Sequence, residues 1–251
     1  MNILGVIPAR FESSRFPGKP LALIQGIPMI EHVYNRCLES EVFSKIIVAT
    51  DDDRIRVVVE SFGGEVTLTD PAHLSGTDRC FEALSLQQDA FDAIINIQGD
   101  EPFIHPKSIV KVANLLKNGA DIATLAVPIQ ELKTLTDKNK VKVVISKEAK
   151  AIYFSRAAIP FQRDLPFEKW LETASYFIHL GIYGFGVQAI EQIKGLEPTT
   201  LEQLECLEQL RWLENGYSIE VGVVENAPLG IDTPEDLVYL SGLISKGLIN
   251  F

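Results

Sequence analysis

The stretch Ile3-Leu4-Gly5-Val6-Ile7-Pro8-Ala9-Arg10-Phe11-Glu12-Ser13-Ser14-Arg15-Phe16-Pro17-Gly18-Lys19-Pro20-Leu21 decides how the chain is read. Ile3 to Ile7 is an apolar run, the pattern of a buried strand, and Pro8 is expected to end it. Farther on, Pro28-Met29-Ile30-Glu31-His32-Val33-Tyr34-Asn35-Arg36-Cys37-Leu38 has the pattern of a helix with proline in its first turn. The connection between them is about twenty residues long, whereas strand-to-helix loops in α/β units usually take about two to six. Its prolines and hydrophobic flanks argue for an ordered loop. Arg10, Arg15 and Lys19 set three cations against Glu12 at the carboxyl end of the first strand, the edge at which open α/β sheets bind ligands. Arginine supplies a planar donor fork and lysine a compact charge, while Gly18 is expected to let backbone approach a ligand closely. The loop therefore reads as a grip for a polyphosphate.

The rest of the chain extends the same rhythm. Residues 45–50 read as a strand, and Asp51-Asp52-Asp53 suits the start of the helix that follows to Glu60. Asp51 and Asp53 also resemble a D-x-D metal motif, but helix capping accounts for them. Gly63-Gly64 closes that helix before a short strand at 65–68, and Ser75 opens another helix, with Asp78 three residues on as in a capping box. A buried strand at 92–97, a helix at 106–116 and a strand at 122–127 continue the alternation, which predicts an α/β fold with a doubly wound, mainly parallel sheet. The rhythm changes at 141–156, where two strand patterns flank a polar turn as in a hairpin. A strand at 177–185, a helix from Thr200 to Glu214, a strand at 217–224 and a helix from Pro234 complete the chain. The simplest division is a single domain, 1–251, with a small inserted β-rich subregion at about 130–185.

Composition narrows the class. With 23 basic and 34 acidic residues the net charge is −11, which disfavours nucleic acid and anionic membranes as partners and makes a local basic cluster more informative. No stretch approaches the roughly 20 apolar residues of a membrane span. Cys37, Cys80 and Cys206 are odd in number and lack a C-x-x-C pair, so reduced, buried thiols in a cytoplasmic protein are expected.

Ile7-Pro8-Ala9-Arg10 followed by Ser14-Arg15-Phe16-Pro17-Gly18-Lys19-Pro20-Leu21 closely resembles the opening motif of the 3-deoxy-manno-octulosonate cytidylyltransferases, or CMP-Kdo synthetases. It is neither a Rossmann G-x-G-x-x-G nor a P-loop. Other stations match in the family's order, from Ile7 to Asp236. Ser75-Gly76-Thr77-Asp78-Arg79 looks like the element that reads the cytosine base and positions the nucleotide, and a helix start also presents free N–H donors. Gln98-Gly99-Asp100-Glu101-Pro102 would lie on the same sheet edge as the opening loop, where a carboxylate beside a triphosphate holds Mg²⁺. The resemblance gives Asp100 that metal role and Gln98 a contact with the sugar acid. In Gly230-Ile231-Asp232-Thr233-Pro234-Glu235-Asp236 a helix start explains Thr233, Pro234 and Asp236 but leaves Asp232 unassigned. The family pattern makes Asp232 the second metal carboxylate.

For the sugar acid, a continuous helix from Thr200 would set Glu208 and Arg211 among Leu201, Leu204, Leu207 and Trp212. An internal ion pair at the rim of the core is one reading of that placement. The other puts Glu208 in a substrate pocket, and the segment through Gln209 resembles one that binds the sugar acid. A period of two puts His179, Gly181 and Tyr183 on one strand face, and His-Leu-Gly-Ile-Tyr matches the family's sugar-binding strand. Arg156 and Arg163 match as partners for the sugar carboxylate or the pocket loop.

The resemblance implies a nucleotidyltransferase of Rossmann-like fold that uses Mg²⁺ and transfers CMP from CTP to Kdo. Candidate catalytic residues are Arg10, Lys19 and Asp100. Nucleotide binding falls to Pro8, Ala9, Arg10, Arg15, Lys19, Ser75, Gly76, Thr77 and Arg79, and sugar binding to Gln98, Arg156, His179, Tyr183, Glu208 and Gln209. Asp100 and Asp232 are the metal ligands. It also implies a homodimer through the irregular segment near 155–180 and a place in lipopolysaccharide biosynthesis in a Gram-negative bacterium. Alternative readings are a cytidylyltransferase for a related acid sugar, such as 8-amino-Kdo or a sialic acid, a metal-dependent glycosyltransferase, or a sugar-nucleotide sensor. The sensor would not need phosphate cations and metal carboxylates together.

Overall fold

The opening apolar run forms β1, Ile3–Ala9, with Ile3, Leu4, Val6 and Ile7 sealed from solvent. The computed structural model describes residues 1–12, 16–73, 75–231 and 233–249. The chain divides into two compact units, Met1–Ala113 with Pro228–Phe251, and Asn114–Ala227.

In the first unit β1 leads through a 3₁₀ turn, Lys19–Leu21, and a hairpin of β2, Leu23–Ile24, and β3, Ile27–Pro28, into α1, Met29–Glu39. Then follow β4 (Lys45–Thr50), α2 (Asp53–Ser61), β5 (Glu65–Leu68), α3 (Gly76–Ser85), β6 (Ala93–Asn96) and α4 (Pro106–Lys117). The strands lie in the order β6-β1-β4-β5. All three pairings are parallel, with Leu4 opposite both Lys45 and Ile94, and Ile47 opposite Glu65. The chain thus winds outward from β1 through β4 to β5, then returns to place β6 on the other side of β1. That reversal opens a crevice beyond the carboxyl ends of β1 and β6, the place where doubly wound sheets bind ligands. The expected parallel α/β architecture is therefore present.

Local details depart from expectation. Pro8 does not end β1; the strand runs on to Ala9, with Pro8 opposite Ala49. Pairing with β6 ends at Val6 opposite Asn96, so the missing Pro8 N–H lies past that ladder. Pro28 caps α1 in an extended conformation instead of forming its first turn. Asp52 caps α2, its Oδ1 accepting from Arg54 N at 2.8 Å; Asp51 and Asp53 pair with Arg79 and Arg56. Cys37 and Cys80 are buried as expected, but Cys206 is exposed.

The second unit contains β7 (Ile122–Pro128), α5 (Leu132–Thr136), β8 (Lys142–Ile145) and β9 (Ala151–Ser155). These lead to α6 (Trp170–Thr173), β10 (Phe177–Gly186) and α7 (Val187–Ile193). The unit ends with α8 (Thr200–Glu205), α9 (Gln209–Glu214) and β11 (Ile219–Val223). β7 is buried from Ile122 to Val127 between parallel β11 and antiparallel β10. β8 and β9 form the expected hairpin, and β8 also pairs antiparallel with β10.

The helix expected over 200–214 is two helices. Cys206, at φ 52° and ψ 51°, breaks it in the left-handed region. Leu204, expected among the apolar residues, is 76% exposed. After β11 the chain re-enters the first unit as α10, Pro234–Ser245, opened by a capping box between Thr233 and Asp236. Ile231 and Leu240 pack there with Ile24 and Met29.

Candidate active site

The polar residues of the first unit gather at the crevice beyond β1 and β6. Arg10 leaves the end of β1, and its guanidinium donates to the His73 carbonyl and, at 3.4 Å, to the Ser75 carbonyl. Ser75 in turn caps α3, its hydroxyl accepting from Asp78 N at 3.0 Å. A Cβ on Gly76 would stand 3.4 Å from the Pro8 ring, so the first turn of α3 lies against β1. The opening loop closes on itself, because Gly18 N donates to Phe11 O at 2.8 Å. Gly18 has φ 70°, which favours glycine. A Cβ at this turn would also meet the Phe11 ring at 3.1 Å. The Arg54 guanidinium lies over that ring, 3.2 Å from its centre.

Beyond the turn, Lys19 Nζ reaches Asp100 Oδ2 at 2.5 Å and the Ile231 carbonyl at 3.0 Å. Pro8, Ala9, Arg10, Lys19, Gly76, Gln98 and Asp100 all line one cavity of about 290 Å³. Asp100 owes its place to Gly99, where a Cβ would meet the Pro8 carbonyl oxygen at 2.8 Å. That oxygen belongs to the sheet backbone and has little room to yield. Gly99→Ala should therefore displace Asp100, lower turnover and cost about 1–3 kcal/mol of stability, measured by steady-state kinetics and denaturant unfolding.

Not every expected nucleotide contact reaches the cavity. Thr77 is buried, and Arg79 has no exposed surface. Arg79 donates to Thr69 Oγ1 and pairs with Asp51 at 3.4 Å. Burial pulls its pKa below the ordinary value, Asp51 opposes that and Arg10 adds to it. Arg79 is thus a support beneath the site and not part of its wall. Arg15 and Asp232 lie outside the described residues.

The second unit holds the other expected residues. His179 is opposite Ala126 and Tyr183 opposite Thr124, with Gly181 and Ile182 bulged out between them. Two extra residues preserve the face but collapse the spacing. His179 and Tyr183 become neighbours, their ring centres 5.2 Å apart, and Gly181 is not the step between them. The Thr124 hydroxyl lies 2.8 Å from the Ile182 carbonyl and 3.0 Å from His179 Nε2. With its hydrogen given to the carbonyl, it accepts from the imidazole, which places the ring proton on Nε2.

Burial pushes the His179 pKa down to about 3. The unfolded chain, with a pKa of about 6.5, takes up its proton first on acidification. This contribution to stability is whole above that pH and declines as pH falls toward 3. Unfolding midpoints should drop between about pH 7 and about pH 5, and by less in His179→Asn.

Around this pair, Trp212 packs edge-on against Tyr183 and Phe185. The Tyr183 hydroxyl is buried, and the nearby Glu208 adds to the burial that raises its pKa. Gln209 is buried at the start of α9. Arg211 binds Glu202 of α8 at 2.5 and 2.8 Å. Arg156 donates to the carbonyls of Glu205, Lys138 and Cys206, so its guanidinium ties loops together. Arg163 is exposed and pairs with Asp164.

Sequence reasoning missed Glu205, which accepts from Ser155 Oγ at 2.5 Å and Arg156 N at 2.9 Å. Its signal was proximity to the segment already singled out. Among the described residues no group of three or more His, Cys, Asp or Glu is placed to hold a metal, and no helix is long and apolar enough to cross a membrane.

A cytidylyltransferase family model matches residues 4–220. The chain is 46% identical to the 3-deoxy-manno-octulosonate cytidylyltransferase of Parabacteroides distasonis, over 94% of this chain and 96% of the relative. It is 47% identical to that of Cytophaga hutchinsonii, over 96% and 97%. The chain belongs to the 3-deoxy-manno-octulosonate cytidylyltransferase family. Like other members of this cytidylyltransferase family it is a nucleotidyltransferase. A solved structure of a CMP:2-keto-3-deoxy-manno-octonic acid synthetase complexed with CTP matches with a TM-score of 0.92 at 37% identity, covering 99% of this chain and 100% of that one. A 4-diphosphocytidyl-2C-methyl-D-erythritol synthase from Anaerococcus prevotii, 14% identical with a TM-score of 0.64, shares the fold alone.

Proposed function

We propose that the protein transfers CMP from CTP to Kdo, forming CMP-Kdo and pyrophosphate. The observation that carries this reading is the convergence of Arg10, Lys19, Asp100 and the first turn of α3 on one cavity at the sheet's switch point. In the reaction the sugar's anomeric hydroxyl oxygen attacks the α-phosphorus and forms the new O–P bond. The bond to the pyrophosphate oxygen breaks, its electron pair leaves with pyrophosphate, and the hydroxyl proton passes to solvent. Arg10 and Lys19 hold phosphate oxygens and offset charge on the leaving group, while the N–H groups opening α3 orient the nucleotide. Positioning and electrostatics supply most of such catalysis. Gln98, Arg156, His179, Tyr183, Glu208 and Gln209 serve the sugar acid, with His179 as a neutral ring and Arg156 through the loops it ties.

The residues at Asp100 suit Mg²⁺. Asp100 Oδ2 and Ile231 O, oxygen donors of the kind this ion takes, face Lys19 Nζ, and a cation already rests on them. Asp100 would hold the ion, with Asp232 as the second carboxylate. Bound Mg²⁺ neutralises phosphate charge and helps orient the attacking hydroxyl.

The product would supply activated Kdo for lipopolysaccharide. A cytoplasmic location accords with three free cysteines. A homodimer accords with Phe161 in the irregular 155–180 segment, 74% exposed and packed edge-on against Trp170. The test is pyrophosphate release with a panel of nucleotides and sugar acids, with and without Mg²⁺. CTP, Kdo and Mg²⁺ together should give the fastest release. No release from folded protein would refute the assignment, and faster turnover of 8-amino-Kdo or a sialic acid would change the substrate.

A further inference from the structure

We infer that Lys19 occupies the cation position at Asp100 when no nucleotide is bound, so that a divalent ion gains Asp100 only as a phosphate draws the lysine away. The inference rests on the reading of Asp100 as a metal ligand. Lys19 Nζ lies 2.5 Å from Asp100 Oδ2 and 3.0 Å from Ile231 O, a carboxylate and a carbonyl on one ammonium. A magnesium ion needs oxygens at about 2.0–2.1 Å. It cannot share that carboxylate oxygen with an ammonium in place without two cations repelling at close range. The pair is partly withdrawn from water, with the side chains 13% and 37% exposed, so solvent screens it incompletely.

The exchange requires no backbone change. Lys19 stands on a pinned turn, where Leu21 N donates to Gly18 O at 2.9 Å and Ala22 N to Lys19 O at 3.1 Å. Its four-carbon stem can swing within the cavity that Arg10 and Gly76 also line. A triphosphate entering there offers the ammonium a stronger anion and brings its own divalent ion to the released carboxylate. Metal and nucleotide binding are then coupled. Free protein binds divalent ions weakly, triphosphate strengthens that binding, and the metal strengthens triphosphate binding by the same factor.

The probe is Mn²⁺, titrated without nucleotide into the full protein and followed by the electron paramagnetic resonance signal of the free ion. Lys19→Met should bind Mn²⁺ about tenfold more tightly than the native protein. Lys19→Gln, which keeps most of the packed stem, should show the same gain and serves should Lys19→Met fail to fold. Adding Asp100→Asn to either variant should remove the gain. Equal affinity in the native protein and the Lys19 variants overturns the exchange, and so does a gain that survives Asp100→Asn. The underlying reading of Asp100 is tested apart, by whether Asp100→Asn raises the Mg²⁺ concentration needed for pyrophosphate release.

Discussion

Asp100→Asn should lower kcat by about a thousandfold while leaving the protein folded, an effect of the size seen when one preorganised electrostatic group is removed from a transition state. The carboxylate sits at the end of the Gln98-Gly99 turn, 2.5 Å from Lys19 Nζ, in the wall of the cavity. The amide keeps its shape and can still accept a hydrogen bond, but it carries no charge for a divalent ion. Lys19 retains the Ile231 carbonyl at 3.0 Å. Loss of a partly exposed ion pair therefore costs the fold less than about 1 kcal/mol. Steady-state kinetics with saturating CTP and Kdo, set beside a thermal melt, separate the two effects. Near-native turnover would remove Asp100 from the mechanism.

The crevice that holds Asp100 was legible in the sequence because two signals coincided. An apolar run followed by an overlong basic loop pointed to one edge of the sheet, and a second buried run ending in Gln98-Gly99-Asp100 pointed to the same edge. Parallel strands buried on both faces read as continuous apolar segments, so β1, β4 and β6 were visible without their partners. Pairing order is a long-range property, and the return of β6 beside β1 is what brought the two signals together.

The second unit was harder to read because its departures are backbone events of one or two residues. Cys206 turns into the left-handed region and ends α8, so a helical projection drawn through it put Leu204 in the core and hid the approach of Arg211 to Glu202. The helix restarts at Gln209, and Arg211 reaches back to Glu202 of α8. A non-glycine residue in that region has no reliable sequence signature. The bulge at Gly181 and Ile182 is of the same kind. Inserting two residues preserves strand parity, so the period-two reading chose the right face for His179 and Tyr183 while missing that they touch. Arg79 illustrates a third limit: a motif arginine reads as a ligand contact until its burial against Asp51 and Thr69 is seen.

Lys142→Met should destabilise the protein by about 3–5 kcal/mol, the range for stripping one partner from a buried charged network. Lys142 has no exposed surface. It lies on β8 opposite Ser155 of β9, and its ammonium donates to three carbonyls, Asp137 at 2.8 Å, Lys140 at 2.6 Å and Arg156 at 2.6 Å. Burial draws its pKa below the ordinary lysine value, and the neighbouring Asp137 and Glu205 oppose that shift. All three donors of the ammonium are thereby used. Methionine matches the stem but leaves three carbonyl oxygens without that donor, each costing about 1–3 kcal/mol if it stays buried and unmet. Water entering the gap would recover part of this, which keeps the total near the lower sum. The same carbonyls fix the 137–140 loop and the backbone of Arg156, whose guanidinium ties Lys138 to the end of α8. The KM for the sugar acid should therefore rise more than the KM for CTP. Lys142→Arg should restore little, because a planar fork cannot reproduce the three-donor geometry of an ammonium. Denaturant unfolding measures the loss. An unfolding free energy within about 1 kcal/mol of native would mean that the three carbonyls find other donors and that Lys142 is not the pin of this loop.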